Sequence, residues 1–346
     1  MFEILLIATL AIIVGANDGA NVFGSAIGSK MLKFKYAIIF FIIFIILGAI
    51  INAKYPSAVY SNLLIEYPNI EDIFKILLPV IIITIISLKF QIPSSISQSL
   101  IFSIFGFAIV NNVNFDLDLL KKLIYFWIAT PILAFLISIL FCYIINVIIN
   151  FFKLNLFQID YQIRISLVLF GCLAAFALGS NLTASIVGIY SPYLDLNIKF
   201  IEFLFVISEE KLYFFGSLFI GIGALLFSQK IAQSVGSQIS KIKPVGALAI
   251  LITQIIILIS FSSQMVINFL NSILPFNMFA IPLSASHITF ASIIGIASFN
   301  KFREVKPIHT IKIVLSWFLI PISVFFTSYL FDIIKIFHEM IKINYF

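Results

Sequence analysis

The sequence predicts an all-helical protein that crosses a membrane many times and is built from two copies of one unit. Three observations lead there. Of 346 residues, 62% are hydrophobic and only 10% charged, too little charge to cover a water-soluble surface of this size. Apolar runs such as YAIIFFIIFIILGAII and ILLPVIIITIISL approach the roughly 20 residues that a helix needs to span hydrocarbon. Finally, two different motifs recur in the same order along the chain, the mark of an internal duplication.

The candidate spans follow from the apolar runs. They fall at 36–52, 76–89, 120–150, 211–228, 245–272 and 311–333, with two more at 2–29 and 166–190 that polar residues and glycines interrupt. Two shorter stretches, 90–112 and 279–300, are rich in Ser and each contains Ile-Pro, which suits re-entrant helical hairpins. Polar connectors separate these elements at 53–75, 112–119, 151–165, 191–210, 229–244 and 301–310.

The repeat is read by superposition. GANDGANVFG (15–24) over GSNLTASIVG (179–188) aligns Gly15, Asn17, Ala20 and Gly24 with Gly179, Asn181, Ala184 and Gly188. IPSSISQSLIFSIFGFA (92–108) over IPLSASHITFASIIGIA (281–297) aligns Ile92, Pro93, Ser95, Ser97, Ser103 and Gly106 with identical residues at constant offset. The expected organisation is a first repeat over 1–150, an interfacial linker over 151–165 and a second repeat over 166–346 with a basic loop at 229–244.

Charge placement gives topology. Basic residues cluster at segment ends, as Lys30, Lys33 and Lys35, as Lys230, Lys241 and Lys243, and as Lys301, Arg303, Lys306 and Lys312. Cytoplasmic loops carry such clusters, so the N-terminus is expected outside and Lys30 to Lys35 inside. A net charge of +6 arranged this way gives no support to nucleic-acid binding. No basic n-region or small-residue cleavage site is evident, so no cleavable signal peptide is expected. Cys142 and Cys172 lie in apolar segments and are expected to pack. Trp127 and Trp317 are read as part of the aromatic filler, without a function.

The chemistry concentrates where the apolar pattern fails. Between Phe2 and Ser29 the formal charges are Glu3 and Asp18 alone. A mid-membrane carboxylate costs about 2.5–3.5 kcal/mol and is kept for an ion pathway or site. Asp18 is therefore the expected cation ligand, with oxygens from Asn17 and Asn21 beside it, and a hard oxygen set suits an alkali or alkaline-earth ion. Glycines around it are expected to break the helix. Pro93 and Pro282 precede serine clusters that would open helices whose N–H groups and hydroxyls cradle an anion. Residues 90–115, 166–194 and 245–300 hold no Lys, Arg, Asp or Glu, so such a cradle must rely on dipoles, hydroxyls, amides and a co-bound cation.

At these residues the chain resembles the inorganic phosphate transporter (PiT) family. GANDGAN is similar to that family's GANDVAN signature and GSNLTAS to its second copy, while IPSSISQS and IPLSASH resemble its P-x-S-T-T-[HQ] hairpins. The basic stretch 227–249 and the span IVLSWFLIPIS extend the likeness from about residue 5 to about residue 330. The resemblance implies an all-α polytopic membrane fold of two inverted repeats, each with a broken helix and a re-entrant helical hairpin. It also implies symport of an oxyanion, phosphate or a relative such as sulfate, with sodium or a proton across the cell membrane, by a chain open to homodimer assembly. Carried over by position, it implies substrate contacts from Ser95, Ser97, Gln98, Ser284, Ser286, His287, Asn17 and Asn181, and cation contacts from Asp18, Asn21 and Ser185. Leu182 stands where the family's second aspartate is expected, and Ile45 where its second span carries a glutamate. Losing a carboxylate weakens or removes one cation site.

Other classes fit less well. An anion channel usually lines its path with Lys or Arg, which the hairpins lack. An enzyme is not expected, since the chain has no H-E-x-x-H, no G-x-S-x-G and no paired carboxylates within a span.

Overall fold

The computed structural model describes residues 2–64, 69, 72–153, 155–191, 209–238, 242–275, 277–299 and 306–344. They form twelve helices and, among the described residues, no strand beyond one isolated bridge between Leu64 and Phe115. In the first half these are α1 (Phe2–Gly28), α2 (Phe34–Asn52), α3 (Lys54–Ser61), α4 (Ile73–Lys89), α5 (Ile96–Val110) and α6 (Leu117–Phe151). The second half contributes α7 (Leu156–Val187), α8 (Glu209–Gln238), α9 (Pro244–Ser262), α10 (Gln264–Ile273), α11 (Ala285–Phe299) and α12 (Pro307–Asn344).

Seven of these, α1, α2, α6, α7, α8, α9 and α12, are long and apolar enough to cross a membrane. By contrast, α5 and α11 have 15 residues each. At 1.5 Å per residue they reach about 22 Å, short of the ≈30 Å hydrocarbon core, as re-entrant helices should. Most of α1 is enclosed, whereas α6 and α12 turn most of their side chains outward.

The packing is duplicated. Helix α1 packs on α8 and α7 on α2; α5 packs on α12 and α11 on α6; α4 packs on α1 and α9 on α7. Each contact of one half thus has a counterpart in which the equivalent helices have exchanged halves. The glycines carry the same pattern. A side chain at Gly15 would run into the Ile220 carbonyl, and one at Gly223 into that of Ile12. In the equivalent crossing, Gly179 faces the Ile45 carbonyl and Gly48 that of Phe176. Gly106 sits on the Phe325 carbonyl of α12 and Gly295 on the Phe135 carbonyl of α6, again an equivalent pair. Without a hydrophobic driving force between helices in lipid, such close backbone approach is what makes them associate.

Several expectations change here. Helices α1 and α7 run unbroken through GANDGAN and GSNLTAS. The glycines there admit neighbouring backbones and leave the helical hydrogen bonds intact, so no break arises. The stretch 245–272 is two helices, because Ser263 is extended (φ −91°, ψ 117°) between α9 and α10. Within 151–165, residues from Leu156 onward are the first turns of α7, started by a reciprocal capping box between Asn155 and Gln158. Of the basic loop 229–244, residues up to Gln238 prolong α8, while 239–241 lie outside the described residues, as do Lys301 and Arg303. The connector 53–75 contains α3, which buries Tyr60. Cys142 and Cys172 are buried free thiols.

Gly179→Leu should destabilise the α2–α7 crossing by at least about 2 kcal/mol, since only backbone can yield. Gly216→Ala, whose added methyl meets just two side-chain methyls at 3.3 and 3.4 Å, should stay near neutral. Thermal unfolding of the two variants in detergent, followed by size-exclusion profile, checks the contrast.

Candidate functional site

The site forms where the segments leading into α5 and α11 meet α1 and α7. Residues 92–95 and 281–284 are non-helical, so Pro93 and Pro282 stand ahead of the helix caps and not in the first turn. The non-helical backbone leaves peptide groups without helical partners, which low-dielectric surroundings penalise. Two asparagines meet this need. Asn17 Nδ2 donates to the Ser94 carbonyl (2.8 Å) and its Oδ1 accepts from the Ser94 N–H (3.2 Å). Asn181 repeats the clamp on Leu283, donating to its carbonyl (2.8 Å) and accepting from its N–H (3.0 Å).

The two halves then interlock. Ser286 Oγ, at the start of α11, lies 3.4 Å from the Ser94 carbonyl of the first half. Ser97 Oγ, at the start of α5, donates to the Leu283 carbonyl of the second (3.2 Å). At its own start α11 is capped by Ser284, whose Oγ accepts from the His287 N–H (3.3 Å).

Around this two-fold arrangement the side chains differ. In the α1 half, Asp18 Oδ1 accepts from Asn21 Nδ2 (2.6 Å) and Ser286 Oγ (3.0 Å), and all three residues are buried. Gln254 on α9 fixes Asn21 by donating to its carbonyl (2.8 Å) and to Thr289 Oγ1 (2.5 Å). Among the described residues no cation pairs with Asp18. In the α7 half, Leu182 replaces the carboxylate and Ser185 is engaged elsewhere: its Oγ lies 2.8 Å from Tyr60 Oη and donates to the Asn181 carbonyl (3.2 Å). With the tyrosine hydroxyl donating, that chain of neutral groups is closed.

Between the halves, Gln98 Nε2 reaches His287 Nδ1 (3.4 Å), and His287 stacks on Trp317 with ring centroids 4.2 Å apart. Trp127 Nε1 donates to the Pro282 carbonyl (3.0 Å). The two tryptophans are therefore not filler.

The hydrogen bonds join Asp18, Asn21 and Ser286 in one cluster, Ser97, Asn181 and Leu283 in its counterpart, and Gln98 with His287 between them. Ser185 groups with Tyr60 and not with Asp18 or Asn21. In Asn17 and Asn181 both polar atoms of the amide hold backbone. Sequence reading missed Tyr60, Gln254 and Trp317; only the largely apolar flanks of Gln254, in ILITQIIIL, gave a signal. The oxygens of Asp18, Asn21 and Ser286 and the Ser94 carbonyl are hard donors that fit an alkali cation. Among the described residues no group of three His, Cys, Asp or Glu gathers for a transition metal.

The family model described as the phosphate transporter family matches residues 14–328. A Bacillus subtilis protein named a probable low-affinity inorganic phosphate transporter is 24% identical over 345 residues, covering 93% of this chain and 95% of its own. The sulfate permease CysP of the same organism is 25% identical over 334 residues, covering 94% of this chain and 85% of its own. A solved structure titled "The sodium-dependent phosphate transporter" superposes with a TM-score of 0.72 at 16% identity, covering 97% of this chain and 99% of its own, which establishes the shared fold. With the matched residues spanning nearly all of its length, this chain belongs to the phosphate transporter family.

Proposed function

We propose that the protein is a secondary transporter that carries inorganic phosphate across the cell membrane together with a cation, sodium or a proton. The carrying observation is the buried carboxylate of Asp18 bonded to Ser286 at the opening of α11. A lone acid without a basic partner needs a positive charge, and a co-transported cation supplies one beside the anion's site. The first turns of α5 and α11 offer the anion their N–H dipoles and the hydroxyls of Ser95, Ser97 and Ser284, with Gln98 and His287 closing the space between. Asn17 and Asn181 act on the substrate through the backbone they hold. A cation arriving at Asp18 takes the carboxylate from Asn21 and Ser286, which frees the Ser286 hydroxyl for the anion.

The repeat boundaries 1–150 and 166–346, with 151–165 between, fit this reading. Three crossings in the first half (α1, α2 and α6) would set the second half upside down. An inverted pair places equivalent groups on both sides of one central site. Homodimer assembly belongs to the same proposal and is read from particle mass in lipid nanodiscs.

Sulfate is the second reading, favoured by the similarity to a sulfate permease at nearly the same identity as to a phosphate transporter. Competition between the two labelled anions in proteoliposomes separates them. Phosphate still carries a proton that an acceptor can recognise, so excess sulfate should leave phosphate uptake unchanged; inhibition by equimolar sulfate favours the permease reading.

In proteoliposomes with an inward sodium or proton gradient, labelled phosphate should accumulate, and Asp18→Asn should lower cation affinity by about 10- to 100-fold, the loss of one charge-assisted contact. Accumulation unchanged in Asp18→Asn overturns the assignment of the cation to this residue. With Leu182 and the Tyr60–Ser185 bond closing the other half, activation by the cation should be hyperbolic. A sigmoidal dependence in the unmodified protein contradicts a single cation.

A further inference from the structure

The chain's two tryptophans both face one cavity of about 310 Å³ between α6 and α12. Its walls are apolar, with Phe102, Pro131 and Pro321 among them, and its outer rim consists of residues turned to the bilayer. Ile128 and Ile132 on α6 are each 57% exposed, and Phe318 on α12 59%. A ligand therefore enters sideways, from lipid.

The inner end is different. Trp127 and Trp317 are equivalent in the repeat, as are Gln98 and His287. Trp127 donates to the Pro282 carbonyl, but Trp317 Nε1 is buried with no hydrogen-bond partner. Gln98 Oε1 and His287 Nε2 are also buried and unpartnered, on side chains 4% and 3% exposed. With Gln98 Nε2 donating to His287 Nδ1, a neutral imidazole carries its proton on Nε2. Three residues lining one end of an apolar cavity thus each carry a buried, unmatched polar atom: two N–H donors and one carbonyl acceptor. Each left unmade is a cost the fold would otherwise avoid.

One common membrane solute matches that set. The carbonyl oxygen of a protonated carboxylic acid accepts two hydrogen bonds while its O–H donates one. No Lys or Arg lines the cavity, so a carboxylate would enter uncompensated, and its second oxygen would oppose Gln98 Oε1. A phospholipid ester has the carbonyl without the O–H. We propose that this cavity binds a long-chain fatty acid in its neutral form, the carboxyl group on Gln98, His287 and Trp317 and the alkyl tail leaving between α6 and α12 into the bilayer. The inference stands apart from the transport reading, because it concerns the lipid side of the Gln98–His287 pair.

The tryptophans report on it directly. The full chain, in nanodiscs of dioleoyl phosphatidylcholine, is titrated with 9,10-dibromostearic acid while tryptophan emission is followed. Quenching should saturate, reverse with unbrominated oleic acid, and weaken as pH rises and the acid ionises. Brominated methyl stearate, which cannot donate to Gln98, should bind about tenfold more weakly, as should the acid to Trp317→Phe, where Trp127 remains the reporter. Ile132→Phe, at the rim and away from the polar end, should reduce quenching by narrowing the entrance. Quenching that does not saturate, an equal effect from brominated phosphatidylcholine at the same mole fraction, or equal binding of acid and methyl ester each overturns the proposal.

Discussion

Everything at the centre of this protein depends on two stretches of non-helical backbone being tolerated inside a membrane. An unpaired peptide group in hydrocarbon costs several kcal/mol, which is why spanning chains are usually helical throughout. Here residues 92–95 and 281–284 escape the rule because Asn17 and Asn181 each pair both the N–H and the carbonyl of one leader residue, Ser94 and Leu283. An aspartate could accept but not donate, and a serine could not reach both atoms. The clamps free the following helices to begin in mid-protein, where their dipoles act on whatever lies between them.

The duplicated glycine crossings bear on the same point from outside. Since Gly15 and Gly179 each face a carbonyl of the neighbouring helix, α1 and α7 are held at fixed distance from α8 and α2. Asn17 and Asn181 lie half a turn further along the same helices. Their amides therefore meet the leaders at a depth set by backbone-to-backbone contact, the stiffest contact available in lipid. Departures from two-fold symmetry, Asp18 against Leu182 and the different hydrogen bonding of Trp127 and Trp317, are side-chain events on this common frame.

Much of this was legible in the sequence. Apolar runs gave the membrane class, and the recurrence of Asn17 as Asn181 and of Pro93 as Pro282 located the central elements. Asp18 was found because a charge in apolar surroundings is conspicuous, while Ser286 and Gln98 came from the resemblance to the family's hairpin motifs. What escaped depends on contacts between distant parts of the chain. Asn17 was read as a substrate ligand, since nothing local says that its partner is a peptide 77 residues away. Tyr60 sits in a short helix within a stretch read as polar connector, and its link to Ser185 spans 125 residues. The predicted helix breaks failed for a related reason: a glycine that relaxes the backbone and one that admits a neighbour look the same in one dimension.

Across the centre, Ser97 bonds the leader of the second half and Ser286 approaches that of the first, each at a carbonyl that an asparagine of the leader's own half already holds. Parting the halves gives up two hydroxyl contacts but bares neither of these carbonyls. At these two carbonyls backbone pairing is thus complete within each half, whatever the seam between the halves does.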